Sequence, residues 1–143
     1  MRENDRSAPG RPFLDTNVLL YAISDDSSKA DRAEALLRAG GTVSVQVLNE
    51  FAAVASRKLG LGPREVAELL ASIRHFCQVE PLTTDTHDLG MAYFARFHYS
   101  VYDSMILAAA TLADCGVVLT EDMQSGQRIS DTLLIMNPFA VVQ

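Results

Sequence analysis

The sequence predicts an α/β fold in three layers, with a mainly parallel sheet between two layers of helices. Short apolar segments that suit buried strands alternate with longer segments whose apolar residues recur at helical spacing. This alternation favours βαβ units joined by right-handed crossovers, and hence an α/β/α sandwich. The length of 143 residues suits one domain, and a hydrophobic content of 48% excludes a disordered chain.

The first half of the chain is expected to begin with a buried strand. Its elements, in order, are a strand at residues 13–14, a short helix from about residue 17, a helix from about 27 to 39, a strand at 42–45 and a helix at 46–59. Ser27 or Ser28 is expected to cap the second helix, and Gly40 to end it. The core face of the third helix is expected to carry Leu48, Phe51, Ala52, Ala55 and Leu59.

The second half is expected to continue the same alternation. Its elements are a helix at residues 63–76, a weak strand at 78–80, helices at 84–97 and 102–113, a strand at 117–120, a polar loop at 121–130 and a strand at 133–136. Pro63 suits the first position of a helix. The helix at 102–113 is apolar almost all round, which predicts that it is buried.

The ends of the chain and its cysteines predict a cytoplasmic protein. Residues 1–12 are polar and contain two prolines, so a flexible tail is expected there, followed by a single domain over residues 13–143. The tail lacks the apolar stretch of a secretory signal, and no run of residues is apolar enough to cross a membrane. Cys77 and Cys115 are too few and too far apart for a disulfide framework or a metal knuckle.

The net charge of −6 narrows the class of function. A protein that coats nucleic acid usually has a basic surface, which this composition does not favour. An enzyme with an acidic site remains possible, because bound divalent cations supply the positive charge that meets a phosphate.

Two aspartates stand where a buried element begins or ends. Asp15 directly follows the first predicted strand, and Asp103 is the only Asp, Glu, Lys or Arg within residues 97–113. Helix capping is one explanation for each, because carboxylates are favoured at helix N-termini. Metal binding at the edge of the sheet is the other, and Thr16 and Asn17 could then orient the Asp15 carboxylate.

Asp122 and Glu50 complete a set of four acids. Asp122 follows the strand at 117–120 and is either a solvated loop acid or a counterpart of Asp15. Glu50 lies roughly opposite the core face of its helix, either on the surface or in the wall of a cleft. Strand ends and the first turns of the following helices share one edge of a parallel sheet, so all four acids can converge. Clustered carboxylates repel one another unless a cation is bound, and oxygen ligands favour Mg²⁺ or Mn²⁺. The set therefore predicts metal-assisted hydrolysis of phosphodiesters.

Five segments in order resemble those of PIN-domain proteins, and more narrowly the VapC-type toxin ribonucleases of bacterial toxin–antitoxin pairs: FLDTNVLLYA, VLNEF, YDSMILAAA, TEDMQSGQ and NPF. The resemblance covers about residues 13–139 and implies the same three-layer fold. It places the acidic quartet of the family at Asp15, Glu50, Asp103 and Asp122. It also gives supporting positions to Asn17 and Thr120. Glu121 either supports the site or points into solvent.

The resemblance also implies an activity and partners. We expect an endoribonuclease that requires Mg²⁺ or Mn²⁺ and hydrolyses RNA with an activated water, leaving a 5′-phosphate and a 3′-hydroxyl. Asp15, Asp103 and Asp122 are expected to bind metal directly, and Glu50 directly or through water. The expected partners are RNA, a second copy of the chain and a small antitoxin that inserts an arginine into the acidic site.

Three other functions are compatible with part of the pattern. A haloacid-dehalogenase-like phosphatase also has an Asp after its first strand, but it requires a second acid where Asn17 stands. A phosphorylated receiver domain requires a late lysine, whereas Lys29 and Lys58 are the only lysines here. A PIN fold that has lost catalysis could act as a binding module, although all four acids are present.

Overall fold

A five-stranded parallel sheet forms the centre of the protein. The computed structural model describes residues 11–140. The sheet has the order β3-β2-β1-β4-β5, with every neighbouring pair parallel. The strands are β1 (Pro12–Leu14), β2 (Gly41–Ser44), β3 (Cys77–Glu80), β4 (Val117–Leu119) and β5 (Leu134–Met136). The predicted α/β class with a parallel sheet is confirmed.

Six helices connect and cover the strands. They are α1 (Thr16–Tyr21), α2 (Ser27–Ala39), α3 (Val45–Arg57), α4 (Pro63–Phe76), α5 (Thr84–Phe97) and α6 (Val101–Leu112). Helices α1 to α4 pack with one another, whereas α5 packs on α6. These two groups form the outer layers of the predicted α/β/α sandwich. None of the helices in residues 11–140 is long and apolar enough to cross a membrane.

The core lies where α6 meets the central strands. Phe13 and Leu14 of β1 and Val118 of β4 are fully buried, and α6 is buried from Ser104 to Ala110 as its composition predicts. A close contact joins α6 to α5, because a Cβ atom built on Gly90 would lie only 2.3 Å from the Sδ atom of Met105. The side chain of Met105 therefore occupies the space that a side chain at position 90 would need.

The structure corrects the expected limits of one strand and the expected ends of two helices. β1 begins at Pro12, one residue earlier than expected. Asp26 rather than Ser27 or Ser28 caps α2, since its carboxylate accepts from the backbone N–H of Lys29. Leu59 lies beyond the end of α3 and is 48% exposed, so it is not a core residue.

The flexible tail is predicted for residues 1–12, of which residues 1–10 lie outside the described part of the chain. That tail and the single-domain extent of residues 13–143 remain predictions.

Candidate active site

The strand order places one edge of the sheet at a topological switch point. From β1 the chain first extends the sheet through β2 and β3, and it then returns to add β4 and β5 on the other side. The crevice of a doubly wound sheet lies at the carboxyl ends of the two strands where this order reverses, here β1 and β4. Leu14 pairs in register with Leu119, so the residues that follow them, Asp15 and Thr120, lie side by side.

Asp15 caps a helix and also lies at the edge of the sheet. It is the N-cap of α1, and its Oδ1 atom accepts from the backbone N–H of Thr16 at 2.7 Å. Its Oδ2 atom accepts from the Thr120 hydroxyl at 2.9 Å. The residue is only 5% exposed at the end of β1. Helix capping therefore fixes the carboxylate at the sheet edge and does not exclude it from the site.

The Thr120 hydroxyl is the centre of a small hydrogen-bond network. While donating to Asp15, its Oγ1 atom accepts from the side-chain amide of Asn17 at 3.0 Å and from the backbone N–H of Asp122 at 3.1 Å. The Asn17 amide also donates to the Oδ2 atom of Asp122 at 3.2 Å. One fully buried hydroxyl thus links the segment after β1 to the segment after β4.

Glu50 lies on the side of α3 that faces this edge. Its Oε1 atom accepts from the side-chain amide of Gln46 at 3.1 Å, with a longer contact of 3.4 Å from the Thr16 hydroxyl. Glu50 is half-buried rather than fully exposed. Gln46 was not singled out from the sequence, although a glutamine four residues before a glutamate on a helix is a pairing that sequence can indicate.

Asp103 enters the site from the first turn of α6. Ser100 caps this helix by accepting from the backbone N–H of Asp103 at 3.1 Å. Burial and the nearby charges of Asp122 and Glu50 raise the pKa of Asp103, while a hydrogen bond from Ser100 lowers it. The cap is thus supplied by Ser100, which leaves the Asp103 carboxylate free of that structural task.

Burial raises the pKa of Asp15 from 3.8 to about 7. Hydrogen bonds from Thr16 and Thr120 lower it, and the charges of Asp103 and Glu50 raise it further. Since Asp103 also interacts with Asp122, all four acids lie within electrostatic reach of one another. Without a cation, the edge therefore favours a proton on its most buried carboxyl group.

Glu121 pairs with residues outside the set of four acids. Its Oε1 atom accepts from the Tyr21 hydroxyl at 2.5 Å, and its Oε2 atom forms an ion pair with the Lys29 ammonium at 2.7 Å. Its backbone N–H, in contrast, donates to the side-chain oxygen of Asn17 at 3.0 Å. From the sequence, Glu121 was expected either to support the site or to point into solvent, and neither alternative included this ion pair. The local sequence did not indicate that Lys29 is the partner of Glu121, because the two residues are 92 positions apart.

The four carboxylates fit a hard divalent cation by their chemistry, without being gathered into a compact cluster. Within residues 11–140, no three Asp, Glu, His or Cys side chains are grouped closely enough to hold a metal ion as they stand. Over the same residues, no Lys or Arg forms an ion pair with any of the four acids. Carboxylate oxygens that lack a fixed cationic partner are the donors that Mg²⁺ and Mn²⁺ prefer.

Two grooves open beside the carboxylates. One of about 530 Å³ runs between α3, α5 and the start of α6, and Glu50 forms part of its mainly apolar wall. The other, of about 370 Å³, lies beside α1 and α3 and is bordered by Asp122. Each groove therefore reaches one of the four acids, Glu50 or Asp122.

Comparison with known proteins agrees with this architecture. The family model of the PIN domain matches residues 13–127. The VapC20 toxin of Mycobacterium tuberculosis, described as cleaving the sarcin–ricin loop, has a TM-score of 0.63 and 20% identity, over 78% of this chain and 89% of that chain. A toxin–antitoxin complex from Klebsiella pneumoniae has a TM-score of 0.69 and 17% identity, over 91% of this chain and 99% of that chain. At such identities these likenesses concern the fold. No curated protein sequence matches this chain.

Proposed function

Because this chain belongs to the PIN-domain family, we propose that it is a metal-dependent endoribonuclease and the toxin of a toxin–antitoxin pair. The observation that carries the proposal is the set of four acids at one sheet edge, none of which has an ion-pair partner in residues 11–140. Two of the four, Asp15 and Asp122, are linked through Thr120 and Asn17. The fold shared with VapC20 and with a toxin–antitoxin complex supports the toxin assignment.

Some residues of the site would bind the metal ion, and others would orient those metal-binding residues. A bound Mg²⁺ or Mn²⁺ would lower the pKa of water and stabilise the charge that develops on the phosphate. Asp15, Asp103 and Asp122 would hold the cation directly, and Glu50 directly or through water. Asp15 would then give up the proton that it retains in the metal-free state, since a cation favours the carboxylate. In the reaction, a water oxygen would bond to phosphorus while the bond between phosphorus and the 3′ oxygen breaks. The water would lose a proton and the 3′ oxygen would gain one, which gives a 5′-phosphate and a 3′-hydroxyl.

Residues that do not touch the reacting atoms keep these carboxylates in place. The Thr120 hydroxyl and the Thr16 N–H each fix one oxygen of Asp15. Asn17 holds Asp122 through its side-chain amide. Preorientation of this kind reduces the reorganisation that metal and substrate must cause when they bind.

The same acidic edge supports a specific mode of inhibition in the cytoplasm, where toxin and antitoxin would meet. Asp122 borders one solvent-accessible groove and Glu50 borders another, and a guanidinium group pairs with carboxylates through two hydrogen bonds. An antitoxin arginine inserted there would compete with the cation.

A different surface would bind a second copy of the chain. It consists of exposed apolar side chains on α5 and at the start of α6, namely Met91, Phe94 and Tyr102.

RNA cleavage by purified protein tests the proposal. Cleavage should require Mg²⁺ or Mn²⁺ and stop with chelator. The variants Asp15→Asn, Glu50→Gln, Asp103→Asn and Asp122→Asn should each lose most of the rate while remaining folded, and their effects should not add, because they act as one unit. Asp31→Asn, on the exposed side of α2, is the matched control. Undiminished cleavage by Asp15→Asn/Asp103→Asn would contradict the assignment, and a folded wild type without cleavage would favour a binding module.

A further inference from the structure

Lys29 is held by several groups beside the acidic edge. Its ammonium group donates to the Oε2 atom of Glu121 at 2.7 Å and to the Tyr21 hydroxyl at 3.1 Å. It lies 4.5 Å from the centre of the Tyr21 ring and 5.6 Å from that of Phe139, within the range of a cation–π contact. Lys29 and Glu121 thus form an ion pair that joins α2 to the segment after β4.

Both oxygens of the Glu121 carboxylate are hydrogen-bonded. One accepts from Tyr21 and the other from Lys29. Without Lys29, the Glu121 carboxylate would keep only the hydrogen bond from Tyr21, and its negative charge would be unpaired one residue before Asp122. The lysine therefore fixes this carboxylate and neutralises its charge.

The backbone of Glu121 is part of the network that orients Asp122. The N–H group of Glu121 donates to the Oδ1 atom of Asn17 at 3.0 Å. This bond fixes the direction of the Asn17 amide, whose nitrogen donates to Thr120 and Asp122. A polar chain thus runs from α2 through Glu121 and Asn17 to the carboxylate at position 122.

We propose that Lys29 is a positioning residue, which holds Glu121 in place so that Asn17 presents the Asp122 carboxylate for metal binding. This inference rests on the proposed metal-dependent function. It assigns Lys29 no contact with metal or substrate. Removal of groups that orient metal ligands typically costs about 10- to 100-fold in metal affinity or activity, and we expect an effect near the lower limit of that range.

Three substitutions separate positioning from simple stabilisation. Lys29→Met keeps the length of the side chain and removes the charge, whereas Lys29→Arg keeps the charge. Arg38→Met is the matched control, because Arg38 lies on the same helix in an exposed ion pair with Glu34 at 3.0 Å. For each variant we would measure Mn²⁺ affinity by calorimetry, the melting temperature in chelator, and kcat and KM for RNA cleavage.

We expect Lys29→Met to weaken Mn²⁺ binding about tenfold and to lower kcat more than it raises KM. Lys29→Arg should recover most of the affinity, and Arg38→Met should match the wild type. If Lys29→Met lowered only the melting temperature in chelator, with Mn²⁺ affinity and kcat unchanged, the lysine would be purely structural and the inference wrong. A wild-type protein that binds no Mn²⁺ would instead overturn the proposed function itself.

Discussion

Gln46 and Glu50 lie one turn apart on α3, and the Nε2 atom of Gln46 donates to the Oε1 atom of Glu50 over 3.1 Å. The same nitrogen donates to the backbone carbonyl of Tyr102, also at 3.1 Å. Asp103 follows Tyr102 directly. One amide group therefore fixes the position of Glu50 relative to the helix turn that carries Asp103.

Substitution of Gln46 should reduce both stability and activity. Gln46→Leu leaves the Tyr102 carbonyl without this donor and releases Glu50, so we expect a loss of about 1–3 kcal/mol in the free energy of unfolding. Cleavage should fall about tenfold or more, as Glu50 loses its orientation. Denaturant titration and cleavage rates measure the two effects. Ser56→Ala, near the exposed end of α3, should change neither; a Gln46→Leu enzyme of full activity would contradict the role given to this amide.

Substitutions of Thr120 test whether its hydroxyl group, rather than the shape of its side chain, maintains the site. Thr120→Val removes the donor to Asp15 and the acceptor for Asn17 and Asp122 in a fully buried position. We expect a loss of about 1–3 kcal/mol in unfolding free energy and of most cleavage activity. Thr120→Ser retains the hydroxyl and should keep most of the activity. Equal activity of the two variants would show that the network is dispensable.

The raised pKa of Asp15 predicts how the metal-free protein responds to pH. In the unfolded chain this group loses its proton near pH 3.8, whereas in the folded chain it keeps it to about 7. Between these values the folded state binds more protons, so stability falls as pH rises and levels off above pH 7. The contribution of this group is at most about 4 kcal/mol.

Thermal melts in chelator from pH 4 to pH 8 measure this decline. Asp15→Asn should show a smaller decline and should be at least as stable as the wild type at pH 8, because repulsion at the edge is lower. Millimolar Mn²⁺ should stabilise the wild type at pH 8 but have little effect on Asp15→Asn. If the stability of the wild type and that of Asp15→Asn changed by the same amount between pH 4 and pH 7, the raised pKa of Asp15 would be contradicted.

Gly90 permits the close packing of α5 on α6. In Gly90→Ala, the added methyl group would overlap the Sδ atom of Met105, which lies 2.3 Å from the Cβ position, and Met105 is itself buried. Although alanine favours helices, we expect a net loss of about 1–3 kcal/mol from the overlap. Gly90→Ala should cost much less in a Met105→Ala background, which a double-mutant cycle by denaturant titration would measure. Independent effects of the two substitutions would indicate that this contact does not limit the packing.

The inhibitor proposed for the acidic edge gives a prediction about the complex. Replacing the inserted antitoxin arginine with alanine should restore cleavage more than it weakens the complex, because most of the contact area would lie elsewhere. Cleavage assays and calorimetry on the same complex compare the two effects. A complex that leaves the carboxylates accessible and the cleavage rate unchanged would argue against insertion.

Much of the fold follows from apolar periodicity, which is a local property of the sequence. The limits of α4 and α5 agree with expectation because Pro63 and Thr83 mark their starts by local chemistry. The start of α2 differs, since Asp26 competes with Ser27 for the same capping role and sequence alone does not rank them. Periodicity likewise placed Leu59 in the core, although α3 ends before it.

The acids of the candidate site could be predicted from the sequence, whereas most of the contacts that orient them could not. Asp15 and Asp122 follow strands that share an edge, which the strand pattern indicates. The bonds that orient them join residues far apart in sequence, such as Asn17 with Thr120 and Lys29 with Glu121. A local pattern does not determine which of several polar side chains becomes such a partner, because that choice depends on packing.

The position of β4 between β1 and β5 has a consequence for the newly made protein. Asp15 and its partner Thr120 are 105 residues apart, so β1 can pair with β2 while the chain that will become β4 has yet to be translated. Contacts this distant in sequence form late in folding. A ribosome-bound chain that has not reached residue 122 therefore contains no complete acidic edge, and the four acids can come together only after β4 has been made.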